Sequence, residues 1–455
     1  MTEQKSSANL TKRLAGLIVN SEVQPGSAAY QTAQKCLLDY LASFYAAQDE
    51  VAVRRLFQRL AGLDRVQVLH EDVSVESGQA ALLNGFAAHY CDLDDIQANF
   101  RGHPSAVIYS ALLAVSEGSE STGRFFHAYV VGVEVAGQLG AQVNPKHKLD
   151  GYHTTATLGT IAAAAALAYY EQLSVNETVA ILSFAATQAA GLGLEAGTDT
   201  KPLHAGLAAQ RAVQSYQFVT SGLTSSQDAL NNQNGWVKTV VGVDLNEKQL
   251  VDSWLRPAQI VQPGIWFKQH QFCSAAMSGY DAVRQAYQAG IRLDQVERVI
   301  FHFPPDADKV LRYRQPENGQ AGKFSIEYIA WQVLTQGDVS DALFEPGIET
   351  TAFQAVAGIF SRVNDVPAAG NDQRETAVEL VSKGQQVKRF DVKWPKGSPQ
   401  NPLNYGEIEA KLAAVLGPEQ GTIVQQLVAD LNQPTLNNLL ATLAAISSPI
   451  LEESR

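Results

Sequence analysis

Residues 155–170 read TATLGTIAAAAALAYY, sixteen positions without one charged side chain. Alanine is the strongest helix former, and a helix that is apolar all round has to be enclosed by other elements. Small side chains let neighbouring helix axes approach closely. The segment is therefore expected to be a central helix of a bundle. It is too short to cross a membrane, and no stretch reaches about 18 uninterrupted apolar residues.

The surrounding sequence continues the pattern. Residues 32–47, 80–90, 105–117, 125–139 and 178–190 place apolar residues at helical spacing, and the third of these opens just after Pro104. The first 20 residues read as a capped helix and not as a signal peptide. The character changes near residue 266. Residues 296–303, VERVIFHF, alternate as a strand does, residues 324–336 are helical, and residues 376–382 and 387–394 flank a Lys-Gly-Gln turn as a hairpin would. A Pro- and Gly-rich stretch at 395–403 precedes a last helical region, 405–455. The expected fold is mainly α. A large helical domain is formed by residues 1–266 and 396–455, and a smaller α+β domain, 267–395, is inserted between them as a lid.

The chain has 455 residues, enough for two or three domains. Its net charge of -12 offers no general attraction to nucleic acid or to an anionic membrane. The three cysteines, Cys36, Cys91 and Cys273, are widely spaced and form no C-x-x-C pair. This argues against a disulfide framework, a zinc ribbon or an iron–sulfur cluster, and fits a reducing cytoplasm.

Four segments interrupt apolar patterns with ionisable residues. In HYCDLDDIQANFRGHPS, residues 89–105, Asp92, Asp94 and Asp95 precede Arg101 and His103. Clustered carboxylates raise one another's pKa and can keep a proton available near neutral pH; the alternative is an exposed acidic turn. No calcium- or magnesium-loop pattern accompanies them. In DGYHTTATLG, residues 150–159, threonines could cap the long helix beside His153, at a terminus that favours an anion. In GTDTKPLHAG, residues 197–206, Lys201 and a histidine sit in a glycine-bounded loop, where the lysine could neutralise a carboxylate. In WFKQHQFC, residues 266–273, Lys268 lies among aromatics at the domain junction, with Cys273 as packing or chemistry. No dinucleotide, P-loop or nucleophile-elbow motif is present. Histidines, lysines and carboxylates without a cofactor motif suit proton transfer on an anionic substrate.

Taken in order, these segments resemble the MmgE/PrpD family, which includes 2-methylcitrate dehydratase, cis-aconitate decarboxylase and iminodisuccinate epimerase. The resemblance runs through NGFAAHYCDLDD, RGHPSAV, GVEV, GYHTTATLGTIAAAAA, TKPLHAGLAA, the FK at 267–268, AGKFSIEY and PKGSPQNPL. It implies a homodimeric enzyme whose active site lies between helical domain and lid. Asp92 matches the first aspartate of the family's D-x-D-D, His103 the histidine of H-P-S, and His153 the histidine of the G-[FYW]-H segment. Lys201 matches the lysine of T-K-P, Lys268 the junction lysine, and Tyr328 the tyrosine of the lid's F-S-x-x-Y. Met277 stands where many members carry a histidine. Phe100-Arg101-Gly102 before H-P-S looks more like the epimerase branch.

The resemblance implies a cofactor-independent lyase, dehydratase-like, that removes a proton next to a carboxylate of a small di- or tricarboxylic acid such as 2-methylcitrate. His103 and His153 would be the acid–base pair, Asp92 would orient one of them, and Tyr328 would donate from the lid. Lys201, Lys268, Arg101 and Cys273 would bind substrate, with no metal. An epimerase, a decarboxylase and a non-catalytic carboxylate binder are the alternatives.

Overall fold

The computed structural model describes residues 9–61, 75–367, 374–384, 386–417 and 421–446. The expected helical stretches at 1–8 and 447–455 lie outside the described residues.

The chain is mainly α. Eleven helices come first: α1 (Leu10–Val19), α2 (Ala28–Ala46), α3 (Val51–Ala61), α4 (Ser77–Tyr90), α5 (Pro104–Val115), α6 (Thr122–Val143), the single turn α7 (Lys146–Leu149), α8 (Thr154–Tyr170), α9 (Val175–Gln188), α10 (Thr200–Thr220) and α11 (Glu247–Ser253). α1 opens as expected of a capped helix, with Asn9 accepting from Lys12 N at 2.9 Å. α8 is the alanine-rich segment, and sixteen of its seventeen residues are buried, as its lack of a polar face requires.

The sequence from 197 to 206 is a loop only as far as Asp199. From Thr200 it forms the first turns of the 21-residue α10. Pro202 is tolerated there because the first-turn amides have no intrahelical partner. Gly206 is demanded by packing: a Cβ on it would lie 2.1 Å from Leu82 O, and one on Gly85 of α4 would lie 2.7 Å from Gly206 Cα. The backbones of α4 and α10 therefore touch.

A two-residue pairing, β1 (Ile96–Gln97) with β2 (Ile265–Trp266), ties the loop after α4 to the junction. Beyond it come α12 (Met277–Gln288), β3 (Val296–His302), the short α13 (Gly319–Gly322), α14 (Ile326–Gln336) and the short α15 (Thr351–Gln354). β4 (Phe360–Val363), β5 (Thr376–Ser382) and β6 (Val387–Val392) follow. The four-stranded sheet has the order β4-β3-β5-β6. β3 pairs parallel with β4 (Val299 opposite Phe360) and antiparallel with β5 (His302 opposite Ala377), and β5 and β6 form the expected hairpin. β4 was not expected: its four residues are too few for an alternating pattern to be read. α16 (Tyr405–Leu416), α17 (Gly421–Asp430) and α18 (Asn437–Ala445) close the chain.

Two sets of buried apolar side chains result. One runs from Leu10 to Phe267 and resumes from Leu403 to Ile446. The other runs from Phe272 to Val392 and draws in Ile96, Ala196 and Trp266. All three cysteines are free and buried. Among the described residues, no helix is long and apolar enough to cross a membrane.

Candidate active site

α4 ends at Tyr90 and delivers the chain into Asp92, whose φ of 56° is left-handed, a conformation that aspartate adopts more readily than most residues. Lys268 Nζ holds it there, donating to the Asp92 carbonyl at 2.6 Å and to Oδ1 at 2.8 Å. Lys201, one residue into α10, donates to the same Oδ1 at 2.9 Å and to His89 Nε2 at 3.0 Å. From the other side, Lys411 of α16 donates to Leu93 O at 2.9 Å and to the buried Asp39 at 2.5 Å. Asp95 accepts from Ser105 N at 3.2 Å and from Ser105 Oγ at 2.7 Å, which joins this loop to the N-terminus of α5.

The three aspartates are therefore no solvated turn; each is buried. Nor do they simply raise one another. Burial pushes Asp92 upward, but Lys201 and Lys268, then His103 and His89, outweigh it and hold the carboxyl well below its ordinary value. Burial acts on Asp94 likewise and is more than reversed by His103 and His89. Only Asp95 is raised, to about 7, by burial and then by the charge of Asp39, against the opposing bond from Ser105.

Four of the nine histidines gather beside this loop. His89 and His103 have ring centroids 4.3 Å apart, His89 and His153 6.1 Å, and His153 and His204 5.4 Å. His89 Nδ1 lies 2.9 Å from Asp94 Oδ2, and its Nε2 accepts from Lys201, so His89 carries its proton on Nδ1. His103 Nδ1 approaches the same Asp94 oxygen at 3.2 Å without hydrogen-bond alignment, and its Nε2 is 3.9 Å from Asp92 Oδ1. His153 Nδ1 and His204 Nδ1 are 3.2 Å apart, which requires one of them to donate and the other to accept. Burial drives His103 down to about 3 and His153 well below its ordinary value, so all these imidazoles are neutral at pH 7.

His103 and His153 occupy the N-cap positions of α5 and α8 without capping them by side chain. The threonines of α8, expected as caps, bind the neighbouring segment instead: Thr154 Oγ1 donates to Arg101 O at 2.6 Å, and Thr155 Oγ1 accepts from His103 N at 3.3 Å. Both histidines are thereby locked at one wall of a cavity of about 640 Å³. Asp92, Arg101 and Lys201 share that wall, and Cys273 and Arg374 face it from the second core.

Two expected site residues are not at the cavity. Lys268 is 1 % exposed and spends its donors on Asp92. Tyr328 is packed between Trp331, Phe344 and Phe353 in the second core, and its hydroxyl donates to Leu343 O at 3.0 Å. Met277 is likewise a core side chain. Conversely, His89, His204, Lys148 and Arg374 belong to the site or its wall and were not singled out. His89 and His204 lay inside the quoted motifs. Lys148 and Arg374 carry no local signal, because only the fold brings them together.

The ligand atoms of His89, Asp92, Asp94 and His103 lie within 4.8 Å of one another, close enough to surround a cation. Asp92 Oδ1, however, already accepts from two ammonium groups. Lys201 and Lys268 thus supply the positive charge that a metal would bring.

The model of the MmgE/PrpD N-terminal domain matches residues 12–248, and that of the C-terminal domain matches residues 270–432. The chain belongs to the MmgE/PrpD family. Among curated proteins it is 27 % identical over 280 residues to cis-aconitate decarboxylase of Mus musculus, covering 57 % of this chain and 55 % of that protein. It is 27 % identical over 291 residues to cis-aconitate decarboxylase of Homo sapiens, covering 59 % and 57 %. A cis-aconitate decarboxylase-like protein of Aspergillus oryzae is 33 % identical over 122 residues, a quarter of each chain. The match therefore spans little more than half the length of the two longer-matching relatives. As an MmgE/PrpD protein, the chain shares its family with lyase-type enzymes.

Proposed function

We propose that this MmgE/PrpD protein is a cofactor-independent lyase of dehydratase type that takes a proton from the carbon next to a carboxylate of a small di- or tricarboxylic acid such as 2-methylcitrate. The observation that carries this reading is His103: a neutral imidazole at the cavity wall, with the Asp94 carboxylate 3.2 Å from Nδ1 and Nε2 left to accept a proton. Such a proton is weakly acidic because its removal places a second charge on the carboxylate. Lys201, fixed by Asp92 and His89, stands at the same wall to stabilise that charge. His153 is the second acid–base group, steadied by His204. Expulsion of a β-hydroxyl from the enediolate completes a dehydration. The second core forms the lid in this reading, and Lys268 positions Asp92 instead of binding substrate.

Decarboxylation is the second reading, favoured by the names of the relatives. It shares the cations and differs in the bond broken. Epimerisation, to which the Phe100-Arg101-Gly102-His103 sequence points, differs only in where the proton returns.

The test is proton NMR in D₂O with EDTA present, using citrate, 2-methylcitrate, cis-aconitate and iminodisuccinate. A new alkene signal from a hydroxy acid supports the dehydratase, loss of a carboxyl as CO₂ the decarboxylase, and deuterium entry with inversion the epimerase. Folded protein that exchanges none of them defeats the reading.

A further inference from the structure

The cavity holds more positive charge than the proton-transfer machinery consumes. Lys201 is engaged by Asp92. Lys309 is paired with Asp306 at 2.9 Å, and Arg312 donates to the carbonyls of Leu194 and Gly193 at 2.7 and 3.0 Å. Two cations remain. Among the described residues, neither Lys148 nor Arg374 pairs with a carboxylate, although Glu375 lines the same cavity.

These two residues come from opposite sides. Lys148 is a solvent-exposed residue of α7 that lines the cavity. Arg374 lies two residues before β5, beside the second core. Arg374 is held in place: its Nη1 donates to Ser274 Oγ, and its guanidinium carbon stands 5.1 Å from the centre of the Trp266 ring. A guanidinium held over a ring and by one hydrogen bond is oriented, with the rest of its fork turned to other partners. Lys148 stands in the electrostatic field of Arg374, Arg101 and Lys201. Like charges gathered in one cavity repel, and the repulsion is relieved when an anion enters.

We propose that Arg374 and Lys148 form a second carboxylate subsite, which grips a carboxylate remote from the reacting carbon and makes the ligand an acid with at least two carboxylate groups. The inference rests on the reading of this cavity as a di- or tricarboxylate site and adds the two residues that hold the carboxylate remote from the reacting carbon. The arginine binds through two parallel N–H donors and the lysine as a point charge. Because one comes from each side, the ligand's far end bridges the two halves of the cavity.

The test is equilibrium binding by calorimetry at constant ionic strength, with propane-1,2,3-tricarboxylate, which lacks a leaving group, and butyrate as probes. The full chain should bind the tricarboxylate at least about ten-fold more tightly than butyrate. Arg374→Gln and Lys148→Gln should each weaken the tricarboxylate about ten-fold and alter butyrate less than about two-fold, while Arg374→Lys, which keeps the charge and loses the fork, restores only part of the affinity. Equal binding of the two probes overturns the subsite. So does an Arg374→Gln variant that binds the tricarboxylate as before, or one that loses both probes equally. Arg374-dependent tricarboxylate binding in protein that shows no exchange in D₂O sustains the subsite and defeats the reaction reading instead.

Discussion

Lys268 Nζ binds Asp92 twice, at the backbone carbonyl (2.6 Å) and at the carboxylate (2.8 Å), and so fixes both the turn and the charge of that residue. Replacing Lys268 by methionine leaves a buried carboxylate with one ammonium partner and a carbonyl with none. Loss of one member of a buried pair costs about 3–5 kcal/mol. The variant should unfold at correspondingly lower urea, and kcat should fall by at least about 10² as Asp92 and Lys201 drift. An unchanged denaturation midpoint would show that the pair is not structural.

His103→Asn should lower kcat/KM by about 10²–10⁴ without loss of stability at pH 7, because the imidazole there is already neutral. The pH dependence has a defined sign. The folded pKa of about 3 lies below the ordinary value, so the group's stability contribution is present above about 6.5 and is lost as pH falls. The wild type should therefore lose about 1.4 kcal/mol per pH unit between 6.5 and 3 from this residue, a slope missing in the variant. Urea titrations at pH 7, 6 and 5 measure it.

Asp95 acts in the opposite sense. Its folded pKa of about 7 lies above the ordinary value, so its contribution is complete at low pH and is lost as pH rises through 7. Asp95→Asn should match the wild type near pH 4 and become progressively more stable than it toward pH 7, by about 1.4 kcal/mol per unit at most. If the difference does not grow with pH, Asp95 is ionised in the fold.

Lys411 is not among the residues that line the cavity, yet it carries Leu93 O and Asp39. Lys411→Met should destabilise by about 3 kcal/mol and lower kcat more than it raises KM, with partial recovery in Lys411→Arg. A variant that raises KM alone would place this helix in substrate binding.

The sequence made His103 and His153 legible because each directly precedes a helix whose opening is marked, by Pro104 and by the threonines. Lys201 was legible as an isolated lysine, but its helix was not: Pro202 and Gly206 are local signals for a loop, and only contact with α4 explains the glycine. The opposite shifts of Asp94 and Asp95, adjacent in sequence, depend on partners 5 to 56 residues away and leave no trace in the local pattern. Tyr328 differs from these, since this matched motif residue packs in the second core with its hydroxyl on Leu343 O. The α+β region was recognised from β3 and the β5–β6 hairpin, while the parallel β4 needed the third dimension.

The contact between Gly85 and Gly206 reaches further than packing. His89 follows Gly85 by one helical turn, and Lys201 precedes Gly206 by little more than one, so the bond between His89 and Lys201 is spanned by the same two helices that meet at the glycines. Two residues with no side chain act as the gauge block of the site, setting the separation at which an ammonium and an imidazole face each other. An alanine at either would widen that separation and detune the chemistry while leaving every ionisable group in place.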